Sequence, residues 1–547
     1  MKFKKLIAIA SAAVICLSLA ACGNSGSKTS SSVNPNTSSV SATLTESWEF
    51  TAGFYPVITS SNSTNYGSTY WNRNFYNTLV CYDDSGEIQG ELAEDWETSV
   101  DGLTYTFSLR DGVKFSDGTL LTAGTVKTSM EAAIKNLGIH NGSCGKLSSI
   151  ITSIEVLDDL TFVMTLSQPY YGALNDLTMC NPLGIVNPAG FNEDMTPKDS
   201  FIAQTYGTGP YMYAGDFDGS TYTFVRNTYY WGEAPELDSF KVKVIEDNDA
   251  KVLALRSGEI DAIIGTSRLS YDAFNELSKD DSYTTTINDR GMQTRYLGFN
   301  LSNTPFNDIR VRQAVAYALD NDTLCTSVFQ GIEKSANSMF EADKPYCDVE
   351  SITYSFDLDK ANALMDEAGW IDSDGDGVRE KDGQTLELAI PYMQSLASLD
   401  DAVLTIASQL SEIGFKITPS GADMMTWFGI IAAGDYEITM YCTYGGAYDP
   451  SAFATNMNSD ISQDASLIQI SSFLDGCNAL IFELDNTSDL DRVQDIYAEI
   501  LGTIADRALM IPVSYTREFA AWNSNAMAKY NFLFDSQYVN IAGIHIS

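Results

Sequence analysis

Apolar side chains recur in two rhythms along this chain, and each rhythm predicts a different kind of element. Tyr105, Phe107 and Leu109 alternate with Thr104, Thr106 and Ser108, the period of two that gives a strand one buried face. Asp101-Gly102 and Asp111-Gly112 bound that strand as turns, and residues 113–115 resume strand character before a further turn at Asp117-Gly118. Thr122 or Thr125 then opens a helix that runs to about Leu137. A second strand pair, residues 154–157 and 162–166, meets at Asp158-Asp159 and sets Phe162, Met164 and Leu166 on one face.

The bend Gly207-Thr208-Gly209-Pro210-Tyr211 leads into strands at 222–225 and 241–245. A short helix over 250–256 ends at Gly258, and a strand follows over 260–264. Near the middle, residues 296–301 read as a strand, and Asn307 or Asp308 caps a helix whose stripe is Val311, Ala314, Val315, Ala318 and Leu319. Helices over 358–368 and 399–413 stop at Gly369 and Gly414, where a left-handed cap residue is expected. This alternation of strands and helices predicts an α/β protein. The body of roughly 500 residues exceeds the ~250–300 at which one core usually gives way to two, and no internal repeat is visible.

The amino terminus follows other rules. Lys2, Lys4 and Lys5 precede an apolar run over 6–21 that ends in Leu19-Ala20-Ala21-Cys22. This has the three parts of an export signal and is too short for a comfortable spanning helix. A cysteine directly after the small residues resembles the bacterial lipoprotein signal, so residues 1–21 are expected to be a signal peptide and Cys22 the lipidated first residue of the mature chain. Residues 22–45, mostly Ser, Asn, Thr and Gly, bury too little to offset their ordering entropy and read as a flexible tether. The expected location is the extracytoplasmic face of a cell membrane, held through lipid alone.

Composition narrows the function classes. The net charge of −40 becomes −43 without the three signal lysines, which repels nucleic acid and anionic lipid surfaces. That charge suits the solubility of an exported protein, or the attraction of cationic ligands. Cysteines at 81, 144, 180, 325, 347, 442 and 477 are scattered without a C-x-x-C, which favours separate thiols over a disulfide framework or metal cluster, while an extracellular redox setting leaves one or two bridges open. His140 and His545 are the two histidines, too few for a His-rich metal site, and no Ser-His-Asp arrangement emerges. The expectation is a binder and not an enzyme, with no cofactor.

Three places carry candidate chemistry. Asp372, Asp374 and Asp376 before Gly377 imitate the opening of a calcium loop, but position 12 is Gly383 where a bidentate glutamate is wanted. An acidic surface turn and a weak structural calcium site are both open. In residues 441–453, YCTYGGAYDPSAF, Tyr444 and Tyr448 flank paired glycines that include Gly446; their rings suit either core packing or contact with a flat or zwitterionic solute. Residues 170–188 carry Tyr170, Tyr171, Asn181, Pro182 and Gly184, polar groups without ionised partners in what reads equally as an ordinary loop.

The segments LAEDWETSVDGLTYTFSLRDGVKFSDG, YGTGPY, VRNTYYWG, FNDIRVRQAVAYALD and GWIDSDGDGVREKDG together resemble the extracytoplasmic solute-binding proteins of the dipeptide, oligopeptide and nickel class, which serve ATP-driven importers. The resemblance spans nearly all of the body from about Leu44. It implies a two-lobed periplasmic-binding-protein-like fold of type II with an additional domain on the first lobe. Lobe I would be 42–82, 206–295 and 513–547, the extra domain 83–205, and lobe II 296–512. It also implies a monomer that closes over a solute and docks on the permease subunits of an importer.

Peptide binders of this family resemble one another in an aspartate three residues before the acid of a D/E-P pair, which holds the peptide amine. Here that position is Gly446. The segment YGGAYDPSAF is similar to the aromatic, Gly-rich loop of the nickel branch, with Tyr444 and Tyr448 in the ring positions. That branch's chelate-gripping arginine falls around Asn181 to Gly184, and its metal-reaching histidine near Ser462. The resemblance thus implies a short peptide or related small solute, with nickel or another metal as a small-molecule chelate as the alternative ligand, and a non-transport sensory or structural surface lipoprotein as the alternative role.

Overall fold

Two long strands organise the molecule. In a computed structural model, which describes residues 40–547 apart from 52, 58–67, 138–145, 266–267, 395–397, 445–449, 461 and 463, Tyr283–Phe299 runs antiparallel to Met510–Asn523. Their register shifts between Ile287 and Gly291, between Gly291 and Thr294, and between Arg295 and Tyr296. Such irregularities bend a strand and re-aim its side chains.

The two strands lie inside a seven-stranded sheet. Its order is Ala262–Ile264, Met510–Asn523, Tyr283–Phe299, Ile438–Cys442, Glu387–Met393 and Lys416–Ala422, with Lys334–Ser335 also pairing Met510–Asn523. Glu387–Met393 is parallel to both its neighbours, so the carboxyl ends of three strands share one edge. A second sheet has the order Ser41–Glu46, Ser239–Val244, Thr221–Arg226 and Tyr211–Phe217, and a third the order Ala93–Thr98, Thr104–Leu109, Thr161–Leu166 and Ile151–Val156. The protein is of the α/β class, and Val40–Ser547 forms one compact unit.

Each large sheet has its own core. Leu297, Ile390, Ile406, Ile438, Val493 and Val513 belong to the cluster of the seven-stranded sheet. Phe50, Phe54, Trp71, Phe75, Phe224 and Phe240 form the second core, and Tyr105, Phe107, Phe162 and Met164 lie in the third. Strand Met510–Asn523 serves two cores at once: Phe519 and Ala521 enter the first while Ala520 and Trp522 enter the second, as a period of two dictates.

Local readings and structure agree where the signal is local. Thr104–Leu109 buries Tyr105, Phe107 and Leu109. Thr122 caps helix Ala123–Asn136, and its hydroxyl and that of Thr125 bond each other's backbone N–H groups, so both candidate residues take part in one capping box. Asp308, and not Asn307, caps Ile309–Ala318. Residues 113–115 form no strand; Lys114 makes a single bridge to Leu120. The strand expected at 296–301 is the end of the much longer Tyr283–Phe299, whose first half, TTTINDRG, lacks an apolar alternation. Gly207 and Gly209 are required by close approach: a Cβ at Gly207 would overlap the Phe75 carbonyl oxygen, and one at Gly209 would lie 2.6 Å from the Phe75 carbonyl carbon.

Candidate functional site

Parallel strands direct their carboxyl ends, and the loops that follow, toward the ligand side of an α/β sheet. Here those ends are Met393, Ala422 and Cys442. Thr443 then bonds back to the long strand, its N–H donating to the Thr294 carbonyl at 2.9 Å and its hydroxyl accepting from the Thr294 N–H at 3.0 Å. That anchors Tyr444, which is half-buried with its ring 5.9 Å from that of Phe453. Its hydroxyl donates to Asp464 Oδ2 at 2.7 Å. Burial first, and then the charge of Asp464, push its phenol well above the usual range. Tyr444 therefore packs against a core and also stands at the sheet's carboxyl edge. Gly446 and Tyr448 lie outside the described residues.

The helix after Lys416–Ala422, Met424–Ala433, adds apolar surface at the same edge. Trp427 is buried against Tyr441 at 4.3 Å, but Met425 is 73% and Phe428 44% exposed. Ser462 is a polar neighbour: its hydroxyl donates to Asn456 at 3.0 Å and accepts from the Asp464 N–H.

Asn181 follows Cys180 of the second core and precedes Leu183 of the third by two residues. It is buried, its amide nitrogen donating to the Pro56 carbonyl at 2.8 Å, and its Oδ1 has no hydrogen-bond partner among the described residues. Gly184 is packed instead: a Cβ there would lie 2.9 Å from the Cys180 carbonyl oxygen and 3.1 Å from Tyr76 Cβ. Nearby Arg73 is neutralised by Glu91 at 2.7 Å, and Asn77 and Thr78 also donate to that carboxylate.

A polar cluster gathers where the two long strands lose register. Glu341 accepts from the Gly291 N–H at 2.8 Å and from Arg517 Nη2 at 2.8 Å, while Lys344 Nζ donates to the Gly291 carbonyl. One short loop thus grips both polar groups of a single glycine, and a Cβ on that glycine would run into the Glu341 carboxylate. Arg290 lies 4.6 Å over the ring of Phe534, bringing the segment after Phe534 to this junction. Its next residue, Asp535, accepts at Oδ2 from Gln537 at 2.7 Å, but its Oδ1 and the hydroxyl of Ser536 are sealed from solvent and unpartnered among the described residues. Asn288 Nδ2 and Arg517 Nε are in the same condition. Burial pushes the Asp535 carboxyl up to about 6 against the pull of Arg73 and Lys344, and burial pulls Lys344 down to about 8.

A seam joins the third core to the helices of the first. Tyr171 and Tyr497 share a hydroxyl–hydroxyl bond of 2.7 Å, and Tyr346 stacks on Tyr497 with ring centroids 5.7 Å apart. Lys146 pairs with Asp485 at 3.2 Å, and Gln168 donates to the Asp485 carbonyl at 2.8 Å. Desolvation raises the Asp485 carboxyl despite the lysine.

The other sequence candidates stand apart from this region. The carboxylates of Asp372, Asp374 and Asp376 come within 4.8 Å of one another on exposed residues. Asp372 accepts from the Gly375 and Gly377 N–H groups, and Asp376 from that of Val378. His545 pairs with Glu236 at 2.7 Å, and His140 and Cys144 lie outside the described residues. Cys81, Cys180, Cys325, Cys442 and Cys477 form no disulfide among the described residues. No helix among the described residues is long and apolar enough to cross a membrane. Asp535 and Ser536 gave no sequence signal, because one acid among 72 acidic residues is distinguished only by what surrounds it.

Comparison with known proteins agrees with this geometry. The family model described as bacterial extracellular solute-binding proteins, family 5 middle, matches residues 87–464. The nickel-binding periplasmic protein of Escherichia coli is 29% identical over 441 residues, covering 80% of this chain and 83% of that protein. A putative ABC transporter peptide-binding protein of Brucella ovis is 28% identical over 422 residues, covering 75% and 74%. The crystal structure of NikA from Brucella suis in complex with Fe(III)-EDTA superposes with a TM-score of 0.84 at 28% identity, covering 92% of this chain and 100% of that one.

Proposed function

Because this chain belongs to the bacterial extracellular solute-binding proteins of family 5, and so is a solute-binding component of an ABC importer, we propose that it captures a short peptide or related small solute and hands it to the importer's permease. Binding takes place at the carboxyl edge of the seven-stranded sheet, with Tyr444 and Phe428 supplying ring surface and the Asn181 amide a polar contact. Two lobes, 42–82 with 206–295 and 513–547, and 296–512, close on the solute, with 83–205 as an extra domain of the first. The protein binds and releases its solute unchanged, as a monomer. Cys22 carries the lipid that holds it at the membrane; of the expected tether 22–45, residues 41–45 lie in strand Ser41–Glu46 with Leu44 buried, so the tether ends before them.

The observation that carries this reading is the apolar, ring-rich edge at Phe428 and Tyr444 in a chain whose one described histidine, His545, is engaged with Glu236. That edge suits an organic solute better than a bare ion. A nickel or other metal chelate is the second reading. The similarity to the nickel-binding periplasmic protein and to NikA with Fe(III)-EDTA supports it, since a chelator brings its own ligands.

Thermal unfolding of the full chain separates the two, because a solute that binds only the folded protein must stabilise it. A tripeptide mixture should raise Tm saturably with chelator present. A rise that needs metal favours the chelate, and no rise with peptides or with a nickel–histidine complex overturns both. Tyr444→Ala should cost about tenfold or more in affinity with a smaller loss of stability; an equal loss of Tm at unchanged affinity would reduce Tyr444 to core packing.

A further inference from the structure

Asp464 meets the aromatic edge through Tyr444, and its two carboxylate oxygens have different tasks. Oδ1 accepts from the Ser466 and Leu467 N–H groups at 2.9 and 3.3 Å and from the Ser466 hydroxyl. These bonds fold residues 464–467 into a turn, which the N–H groups of Leu467 and Ile468 close on the Asp464 carbonyl. Oδ2 takes the Tyr444 hydroxyl at 2.7 Å.

The turn itself is pinned. The Asp464 N–H donates to the Ser462 hydroxyl at 3.0 Å, and that hydroxyl donates to Asn456 at 3.0 Å. Gln469 accepts from the Leu301 N–H at 2.7 Å, two residues past the long strand Tyr283–Phe299, and its amide nitrogen donates to the Tyr436 hydroxyl and the Ala465 carbonyl, both at 3.0 Å. Asp464 thus stands on a base tied to the seven-stranded sheet. A side chain whose own bonds are already made holds its neighbour to a narrow geometry.

The charge of Asp464 acts on the phenols of Tyr444, Tyr296 and Tyr436, and it bonds the first of them. Tyr436 is met by Gln469. Tyr296 is 1% exposed, and its hydroxyl is sealed from solvent with no hydrogen-bond partner among the described residues. Such an orphan costs about 1–3 kcal/mol, which a bond to Asp464 would remove. Packing already fixes the Tyr296 ring, whose centroid lies 6.1 Å from that of Phe453 and 6.4 Å from that of Tyr441. Tyr444, two residues past strand Ile438–Cys442, is only half-buried, so there a hydrogen bond has an orientation to set.

We propose that Asp464 is a positioning residue of the solute site, fixing through its bond to the Tyr444 hydroxyl the orientation of the ring that meets the solute. This rests on the solute-binding reading above and deepens it. The bond has a direction, because a carboxylate only accepts and the phenol must donate. Burial and the charge of Asp464 keep that phenolic proton in place. Tyr444 therefore meets the solute with its ring face and not with a donated hydrogen bond. It selects for apolar or flat groups that lie against a ring, and not for a carbonyl or carboxylate oxygen.

The test uses the full-length protein, with a tripeptide mixture and a nickel–histidine complex as probes and with calorimetry and thermal unfolding as readouts. For whichever probe the wild type binds, Tyr444→Phe and Asp464→Ala should each weaken affinity by about three- to thirtyfold. The double variant should lose no more than the larger single loss, because residues that act through one another are not additive. Asp464→Asn, whose amide can donate to the Tyr444 hydroxyl, should recover affinity to within about threefold of the wild type. Tyr296→Phe deletes the orphan hydroxyl and should leave affinity unchanged with Tm no lower. Losses that add in the double variant overturn the positioning role, as does a fall in Tm of Asp464→Ala and Tyr444→Phe at unchanged affinity, or a loss of affinity in Tyr296→Phe equal to that in Tyr444→Phe; each leaves solute binding standing. No response of the wild type to either probe overturns both.

Discussion

Glu333 and Asp535 each present a carboxylate oxygen shut off from water, and the molecule treats them in opposite ways. Glu333 receives Arg295 Nε at 3.0 and 3.1 Å and Arg295 Nη2 at 2.9 Å, with hydroxyls of Tyr271 and Ser514 besides. Glu46 is likewise saturated, by Trp71 Nε1 at 2.8 Å and Arg268 Nε at 3.1 Å. The Asp535 carboxyl is met only by Gln537, through that residue's side-chain amide at 2.7 Å and its backbone N–H, and Oδ1 has no partner among the described residues. Saturated pairs tie the long strands to their neighbours, since Arg295 and Ser514 lie on those two strands. The open one is a stability cost kept in place. The contrast teaches that burial does not by itself set the charge of a carboxyl group: the donors that reach it do.

The largest effect that would break this contrast is at the saturated end. Glu333→Ala removes the carboxylate that neutralises the buried Arg295, which should cost roughly 3–5 kcal/mol and show as a large fall in the denaturation midpoint; a loss below about 1 kcal/mol would mean that the network relaxes and the distinction fails.

Asp535→Asn tests the other end, with opposite sign. The Asp535 carboxyl is raised from 3.8 to about 6, so the folded state holds more protons than the unfolded one between those values, and stability contributed by the protonated acid is lost as pH rises through that window. The groups acting on it are Arg73, Lys344 and Gln537. Relative to the variant, the wild type should therefore lose roughly 1–3 kcal/mol between about pH 4 and pH 6 and then stay level. Parallel stability curves for the two proteins from pH 4 to 7 would show that Asp535 is paired.

The seam sharpens the comparison at its smallest scale. Lys146 is partly exposed but Asp485 is buried, so Lys146→Ala leaves a desolvated carboxyl without its lysine and should cost about 1–3 kcal/mol in stability. It should weaken solute affinity if the seam belongs to a closed state. Tyr171→Phe removes one hydroxyl bond to Tyr497 and should act in the same direction. Unchanged affinity in both variants would make the seam ordinary packing.

The elements legible in advance are those whose signal is short-range. Tyr105, Phe107 and Leu109 announce their strand, Thr122 and Thr125 their helix start, and Gly258 at φ 75° its stop, because side-chain alternation and capping act within a few residues. Tyr444 could be singled out through its glycines and aromatic neighbours, yet whether it packs or binds depended on Asp464 and Phe453. Residues 284–291 carry no apolar alternation to announce a strand, because that strand takes its hydrogen bonds from Met510–Asn523, far along the chain.

By itself, then, the sequence determined an α/β protein of this family, its local strands, caps and turns, and the aromatic loop after Cys442, since periodicity and motif are properties of neighbouring residues. Only the tertiary structure decided that Glu333 is filled, that Gly291 is gripped by Glu341 and Lys344, and that Asp535 is left open. Partners and solvent are supplied by chain segments hundreds of residues apart, and no local pattern records which of many identical acids will meet them.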